Sequence, residues 1–384
     1  MNSRERMLTT LNHQEPDRVP YDLASTQITG IQVKVYKSLR EVLGLPPVEL
    51  QIYDHIQQLA LPNDDVMQRL CVDTRGLYPL NSHNWHVKPI DGGDHWIYHD
   101  EWGITHHMLK PDENYYSIEQ VPLPDMSVTI DDIKNLNWPN MADPQRIAGL
   151  RELAKRYRTE GYLVVIKDPF AGIFEMSQRI VGMVNCLMMM AINKAVMAAL
   201  FDKLLELKFD FWEMALPQLG DVVDVVTYAD DYGTNDSQLI SPAMFREQIK
   251  PGLKELFRRI KELAPQAKLF MHSDGNLRPI LPDFIELGID ILNPVQFTAS
   301  GMKLTDLKRE FGQDFVFWGG GVDTSGILAF GTPQEVKDDV RRNIEILAPA
   351  GGFVFNTVHN IINGVPPENV IAMWETLQEY GVYK

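Results

Sequence analysis

Ala267-Lys268-Leu269-Phe270-Met271-His272-Ser273-Asp274-Gly275 is an apolar run that ends in chemically active side chains. The same layout recurs from residue 160 onward. The run Leu163-Val164-Val165-Ile166 ends in Lys167-Asp168, and residues 222–226 lead to Asp230-Asp231. Residues 289–292 end in Asn293-Pro294. Residues 315–318 run into Gly319-Gly320-Gly321-Val322-Asp323, and residues 353–355 precede His359-Asn360. Continuous apolar runs suit strands buried on both faces, and helical stretches between them predict parallel βαβ units. Five or more such units in series fit a (β/α)8 barrel or a doubly wound sheet; in a barrel the strands bring their C-terminal ends to one mouth, where catalytic groups of that fold sit.

Upstream, the pattern predicts a helix capped at Ser3 and running to about Asn12, halted by Pro16 and Pro20. A short strand follows at 19–23, then mostly helix from 31 to 75. Residues 83–120 carry the alternating aromatic stretch His95-Trp96-Ile97-Tyr98-His99, as expected of a β-hairpin insertion outside the barrel. There, His106-His107 is expected to face solvent, and Trp96 and Trp102 to cover the mouth or an oligomer contact. The helical Met188-Met189-Met190 reads as core packing. One domain over 1–384 accommodates all of this.

Composition narrows the function. There are 36 Lys and Arg against 52 Asp and Glu, a formal charge of −16, which argues against nucleic acid and anionic membranes as partners. Cys71 and Cys186 are too few for a disulfide scaffold or a cysteine zinc finger. Met1 to Arg6 lacks the apolar core of a signal peptide, and no apolar run approaches a membrane span, so the chain reads as cytoplasmic. A homodimer stays open.

His272 and Asp274 are two apart at a strand end, so both can face one point in the mouth. His359 follows the last run, which neighbours the first in a closed barrel. Two His and one carboxylate can hold zinc, or another divalent ion, with a coordination position left open. Asp230 and Asp231, with His359, are the candidate catalytic groups. Asp22, Asp168, Glu175, Asn293, Gly320, Gly321 and Asp323 are the candidate substrate-binding set. The bland readings are a helix cap for Asp274 or Asp230, a dipole partner for Glu175, and a tight turn for the glycines.

In order along the chain stand Arg4-Glu5-Arg6-Met7-Leu8, Pro16-Asp17-Arg18-Val19-Pro20, Pro169-Phe170-Ala171-Gly172-Ile173-Phe174-Glu175, Asp230-Asp231-Tyr232-Gly233, Ser241-Pro242-Ala243-Met244-Phe245, Trp318 to Asp323, His359, and Pro366-Pro367-Glu368-Asn369-Val370. This series resembles the uroporphyrinogen decarboxylase superfamily, which includes corrinoid-dependent methyltransferases. The resemblance implies a barrel. The decarboxylases carry an arginine-rich stretch that grips substrate carboxylates, and here that place reads Tyr21-Asp22-Leu23-Ala24-Ser25-Thr26-Gln27, without arginine. Thiol methyltransferases of the superfamily bind zinc through His-x-Cys-Gly and a distant Cys. The matching positions here hold His272-Ser273-Asp274-Gly275 and His359.

The resemblance therefore implies a metal-dependent methyltransferase acting on a small methylated compound such as a methyl ether, with a corrinoid protein as partner. None of the ten histidines has Asp two residues before it, so the Asp-x-His-x-x-Gly motif of corrinoid-binding domains is absent. The alternatives are a metal-free decarboxylase with Asp22 or His359 stabilising charge, for which Arg18 and Arg75 are the early cations, and a binding barrel without catalysis.

Overall fold

The computed structural model describes residues 1–110 and 114–383. Residues 111–113 of the expected insertion, and Lys384 at the end of the expected domain, lie outside them. Seven parallel strands form one sheet: β1 Thr74–Leu77, β2 Leu163–Ile166, β3 Val225–Ala229, β4 Lys268–His272, β5 Ile291–Asn293, β6 Val316–Trp318 and β7 Phe353–Val354. Each pairs with the next, so β1 and β7 are the two edges.

The predicted strand at 19–23 shrinks to a bridge, yet it occupies the eighth position. Tyr21 pairs in parallel with Phe355. Asp22 N–H donates to Phe355 O at 3.0 Å, and Asp73 N–H donates to Tyr21 O at 2.8 Å. One short segment thus bonds both edges and closes the ring. Pro20 supplies no N–H, which limits how far a ladder can extend here.

β1 was not legible as a strand. Its sequence is Thr-Arg-Gly-Leu, not an apolar run, and it falls where mostly helix was expected. The first helix, Ser3–Leu11, is capped by Asn2 instead of Ser3. The Asn2 side chain accepts from Glu5 N–H, and the Glu5 side chain returns the bond to Asn2 N–H. Met7 and Leu11 of this helix join the barrel's inner core.

Side chains alternate across each strand. Leu163, Val165, Val225, Ala229, Phe270 and Trp318 belong to the inner cluster. Val164, Ile166, Val226, Tyr228 and Met271 belong to the cluster shared with the helices. Phe270 meets Trp318 edge to face at 5.4 Å, so truncating it to Ala removes about 3–5 kcal/mol. This alternation decides which acids reach the mouth.

Beyond β1 lies a four-stranded antiparallel sheet, Ile90–Asp91, His95–His99, Thr105–Leu109 and Ser117–Gln120, larger than the hairpin expected there. Glu101 fastens it to the main body by a two-pronged pair with the buried Arg146. His106 is buried, not solvent-facing, because Asp100 accepts its Nε2 bond and Tyr98 stacks on its ring. Trp102 is core as well, packed on Phe170 at 4.7 Å. Met189 and Met190 are buried as expected, while Met188 is exposed. Among the described residues, no helix is long and apolar enough to cross a membrane.

Candidate metal centre at the barrel mouth

His272 is the last residue of β4 and points inward, two residues beyond Phe270. Its Nδ1 lies 2.7 Å from Asn293 Oδ1, while Asn293 Nδ2 donates to Trp318 O at 2.7 Å. A carbonyl can only accept, so the second bond orients the amide and leaves Oδ1 facing the imidazole. Nδ1 must therefore carry the proton. The Nε2 lone pair is left free, the arrangement a metal-ligating histidine requires.

His272, Asp274 and His359 each offer a ligand atom, and the three atoms lie within 4.8 Å of one another. Tetrahedral zinc with bonds of about 2.0–2.1 Å needs ligand atoms about 3.3 Å apart, a closure that small side-chain movements supply. Asp274 Oδ1 is buried and has no hydrogen-bond partner, and its Oδ2 lies 4.0 Å from His359 Nε2. A buried carboxylate oxygen without a partner is costly unless a cation meets it. The donor set therefore fits a divalent ion.

His359 sits at φ 70°, in the left-handed region, at a cost of about 1–2 kcal/mol for a side chain bearing a Cβ. Burial lowers its pKa, which favours the neutral, ligating imidazole. Asp231 Oδ1 accepts from Asp274 N–H at 2.9 Å and stands 3.8 Å from His272 Nε2. Its carboxyl is raised to about 7, first by burial and then by the neighbouring Asp274. Glu175 reaches the same region, paired with Arg179 in the helix Ile173–Val181.

Other expected site residues are held elsewhere. Asp230 points outward, and its side chain accepts from Phe174 N–H, Glu175 N–H, Tyr228 OH and Tyr232 OH. Burial pushes its carboxyl up to about 7, and its oxygens are committed to the helix start and the two tyrosine hydroxyls. Asp168 also points outward, onto Lys208 of the helix Lys194–Leu219. Burial raises the Asp168 carboxyl to about 6 and lowers the Lys208 ammonium, and the pair is wholly buried.

Asp22 braces the barrel interior, accepting from Thr74 Oγ1, Trp318 Nε1 and Ser25 Oγ. The Asn293 side chain is engaged by His272 and the Trp318 carbonyl. A Cβ on Gly320 would meet Val295 at 2.9 Å and one on Gly321 would meet the Phe355 ring at 2.4 Å, so both glycines permit close packing. Asp323 accepts from Ile327 N–H at 3.4 Å as a helix cap. Arg75 lies over the Tyr162 ring and Arg18 pairs with Asp73, so neither serves the mouth.

The mouth also holds residues that the sequence did not single out. Asp54, in a strand of the short hairpin formed by Ile52–Asp54 and Leu59–Ala60, lies within electrostatic reach of His359, Arg179, Tyr115 and Lys167. A cleft of about 410 Å³ lined by Tyr115, Glu175 and Arg179 adjoins it. A larger depression, about 520 Å³ and lined by Met126 to Asp131, Asn193 and Val196, shares no residue with the cluster.

A closed parallel α/β barrel with a His-Asp-His cluster at its C-terminal mouth defines a barrel enzyme class. The profile of uroporphyrinogen decarboxylase (URO-D) matches residues 115–380, and the chain belongs to that family. A uroporphyrinogen decarboxylase from Crocosphaera subtropica is 26% identical over 176 residues, 43% of this chain and 46% of the relative. One from Synechocystis is 26% identical over 172 residues, 43% of this chain and 47% of the relative. The chain thus spans about half the length of these curated relatives. Among solved structures, a methyltransferase from Methanosarcina mazei superposes with a TM-score of 0.62 at 19% identity, over 99% of both chains, which shows a shared fold.

Proposed function

We propose that this chain is a metal-dependent methyltransferase that takes a methyl group from an ether oxygen of a small substrate and passes it to a reduced corrinoid on a separate protein. The observation that carries this reading is the His272, Asp274 and His359 cluster, with its ligand atoms within 4.8 Å and the His272 tautomer set by Asn293. A divalent ion held by these three residues would supply Lewis acidity toward the ether oxygen. Two neutral imidazoles and one carboxylate leave a net charge of +1 with a divalent ion, whereas one His and two thiolates leave none. The harder set matches oxygen better than sulfur.

The chain's own residues do the rest. Asn293 and Trp318 hold the His272 ring and the Asp274 backbone holds Asp231, which would bind a substrate hydroxyl or carry a proton at its other oxygen. The methyl carbon leaves its oxygen, which keeps the bonding electron pair and takes a proton. A reduced corrinoid on the partner protein would supply the electron pair for the new bond to the methyl carbon.

The family's decarboxylases motivate the other reading, but an octacarboxylate needs several free cations. Arg18 and Arg75 lie elsewhere, and Arg179 is paired with Glu175. The test supplies reduced corrinoid protein with aryl and alkyl methyl ethers, and separately methylated corrinoid protein with thiols. Methylation of the corrinoid, read by absorbance, is expected with ethers. Activity only with thiols, or turnover without corrinoid, overturns the reading.

A further inference from the structure

We propose that the outer face of the helix Met183–Ile192 is a dimer interface, covered in solution by the same face of a second copy of this chain. The inference is independent of the reaction proposed above.

The fourteen residues from Ile180 to Asn193 contain no Asp, Glu, Lys, Arg or His, in a chain that is 23% Asp, Glu, Lys and Arg. On the inner face of the helix, Cys186, Met189 and Met190 are buried. That side is fastened to the body: Asn185 Nδ2 donates to Pro124 O at 2.8 Å, and Gln248 Nε2 donates to Met190 O at 3.1 Å. The outer face is just as apolar. Met183, Val184, Met188 and Ile192 are 47%, 69%, 48% and 72% exposed. Val184, Met188 and Ile192 are four residues apart and form one ridge along the helix.

A helix that is apolar all round is buried all round. At ten residues this one is too short to cross a bilayer. The cations that flank it are already paired, Arg179 with Glu175, Lys134 with Asp131 and Lys194 with Glu247, which makes it a poor anchor for an anionic lipid surface.

The apolar surface continues past both ends of the helix. Met183 shares the cleft of about 410 Å³ with the exposed Ile118, and Asn193 shares the depression of about 520 Å³ with the exposed Ile130. At their fractional exposures, Ile118, Ile130 and the four helix residues leave roughly 600 Å² in water, the upper end of what a monomer keeps in one patch. A standard interface buries about 800 Å² on each partner, and about 65% of a homodimer interface is apolar, roughly 500 Å². This patch supplies that area, and the flanking ion pairs form its polar rim.

Permanent interfaces are the apolar ones, whereas a partner that docks and leaves meets a surface as polar as the rest. A ridge of four-residue spacing also packs into the grooves of its own image across a two-fold axis. Each copy carries a charge of −16, which opposes association, and the contact falls where neither copy brings a charge.

Sedimentation velocity with light scattering tests this on the full chain at about 1 to 100 μM. Wild type is expected to have twice the chain mass of 43.8 kDa. The double variant V184E/I192E places like charges on both sides of the two-fold and should weaken the dimer at least about 100-fold, with the circular dichroism of wild type. A second measurement needs no variant. Met183 and Met188 of the wild-type dimer should resist peroxide, read by mass spectrometry, while Met1, 59% exposed, is oxidised.

A wild-type monomer across this range, a folded V184E/I192E that stays dimeric, or Met183 and Met188 oxidised as fast as Met1 in the dimer overturns the inference. So does a monomer whose Met188 is protected only by added corrinoid protein or by phosphatidylcholine vesicles, an outcome that gives the face to that occupant instead.

Discussion

Asn293 stands between His272 and Trp318: its Oδ1 lies 2.7 Å from His272 Nδ1, and its Nδ2 donates to the Trp318 carbonyl at 2.7 Å. The Trp318 carbonyl on β6 thus dictates, through one amide, which nitrogen of the imidazole on β4 faces the mouth. Replacing Asn293 by Ala frees the ring and its tautomer. Zinc affinity is expected to fall about 10- to 100-fold with the fold retained. Competition against a chromophoric chelator measures it, and an unchanged affinity would mean that the ring is held by something else.

The purified chain is expected to carry about one divalent ion. His272→Ala and His359→Ala should each lose most of it, because two protein ligands rarely retain an ion. Elemental analysis of folded wild type and variants decides this. Wild type that is metal-free, folded and active would remove the metal from the mechanism.

Asp230 should report on stability and not on chemistry. Asp230→Ala strands two helix N–H groups and two tyrosine hydroxyls, a loss of at least about 3 kcal/mol. Gly172→Ala should be similarly damaging, since its Cβ would lie 2.1 Å from Asp230 Cγ. Urea unfolding tests both, and an Asp230→Ala variant of full stability but no activity would return Asp230 to the catalytic set.

Asp17 sets a pH dependence. Its carboxyl is held down to about 2, chiefly by its hydrogen bonds to Arg6. A depressed folded value contributes stability above the unfolded value of about 3.9, and that contribution disappears as pH falls to about 2. Asp17 is 41% exposed, so screening limits the gain to about 0.5–1 kcal/mol. Asp17→Asn should therefore unfold at a lower temperature than wild type at pH 7 and at the same temperature near pH 2. A gap that persists at pH 2 would assign the effect to something other than the charge.

The apolar runs at 163–166, 267–271 and 315–318, and the polar residues after them, were enough to read a parallel α/β sheet with its chemistry at the strand ends, while closure into a barrel was implied by the family resemblance. They were legible because a strand buried on both faces needs apolar side chains throughout, a local demand. The spacing of His272 and Asp274 was legible for the same reason: a period of two is a property of the strand itself. Adjacent pairs such as Lys167-Asp168 and Asp230-Asp231 were not resolved. Which member faces the mouth depends on the strand's frame, and that frame is set by pairing with neighbours distant in the chain. Only the folded ring turned Asp231 and Lys167 inward, gave Asp230 to a helix and Asp168 to Lys208, and closed through Tyr21 and Phe355. Asp54 became part of the mouth, and Asn293 the partner of His272, in the same way, because a hydrogen bond or a Coulomb field depends on distance in space, which the order of residues does not contain.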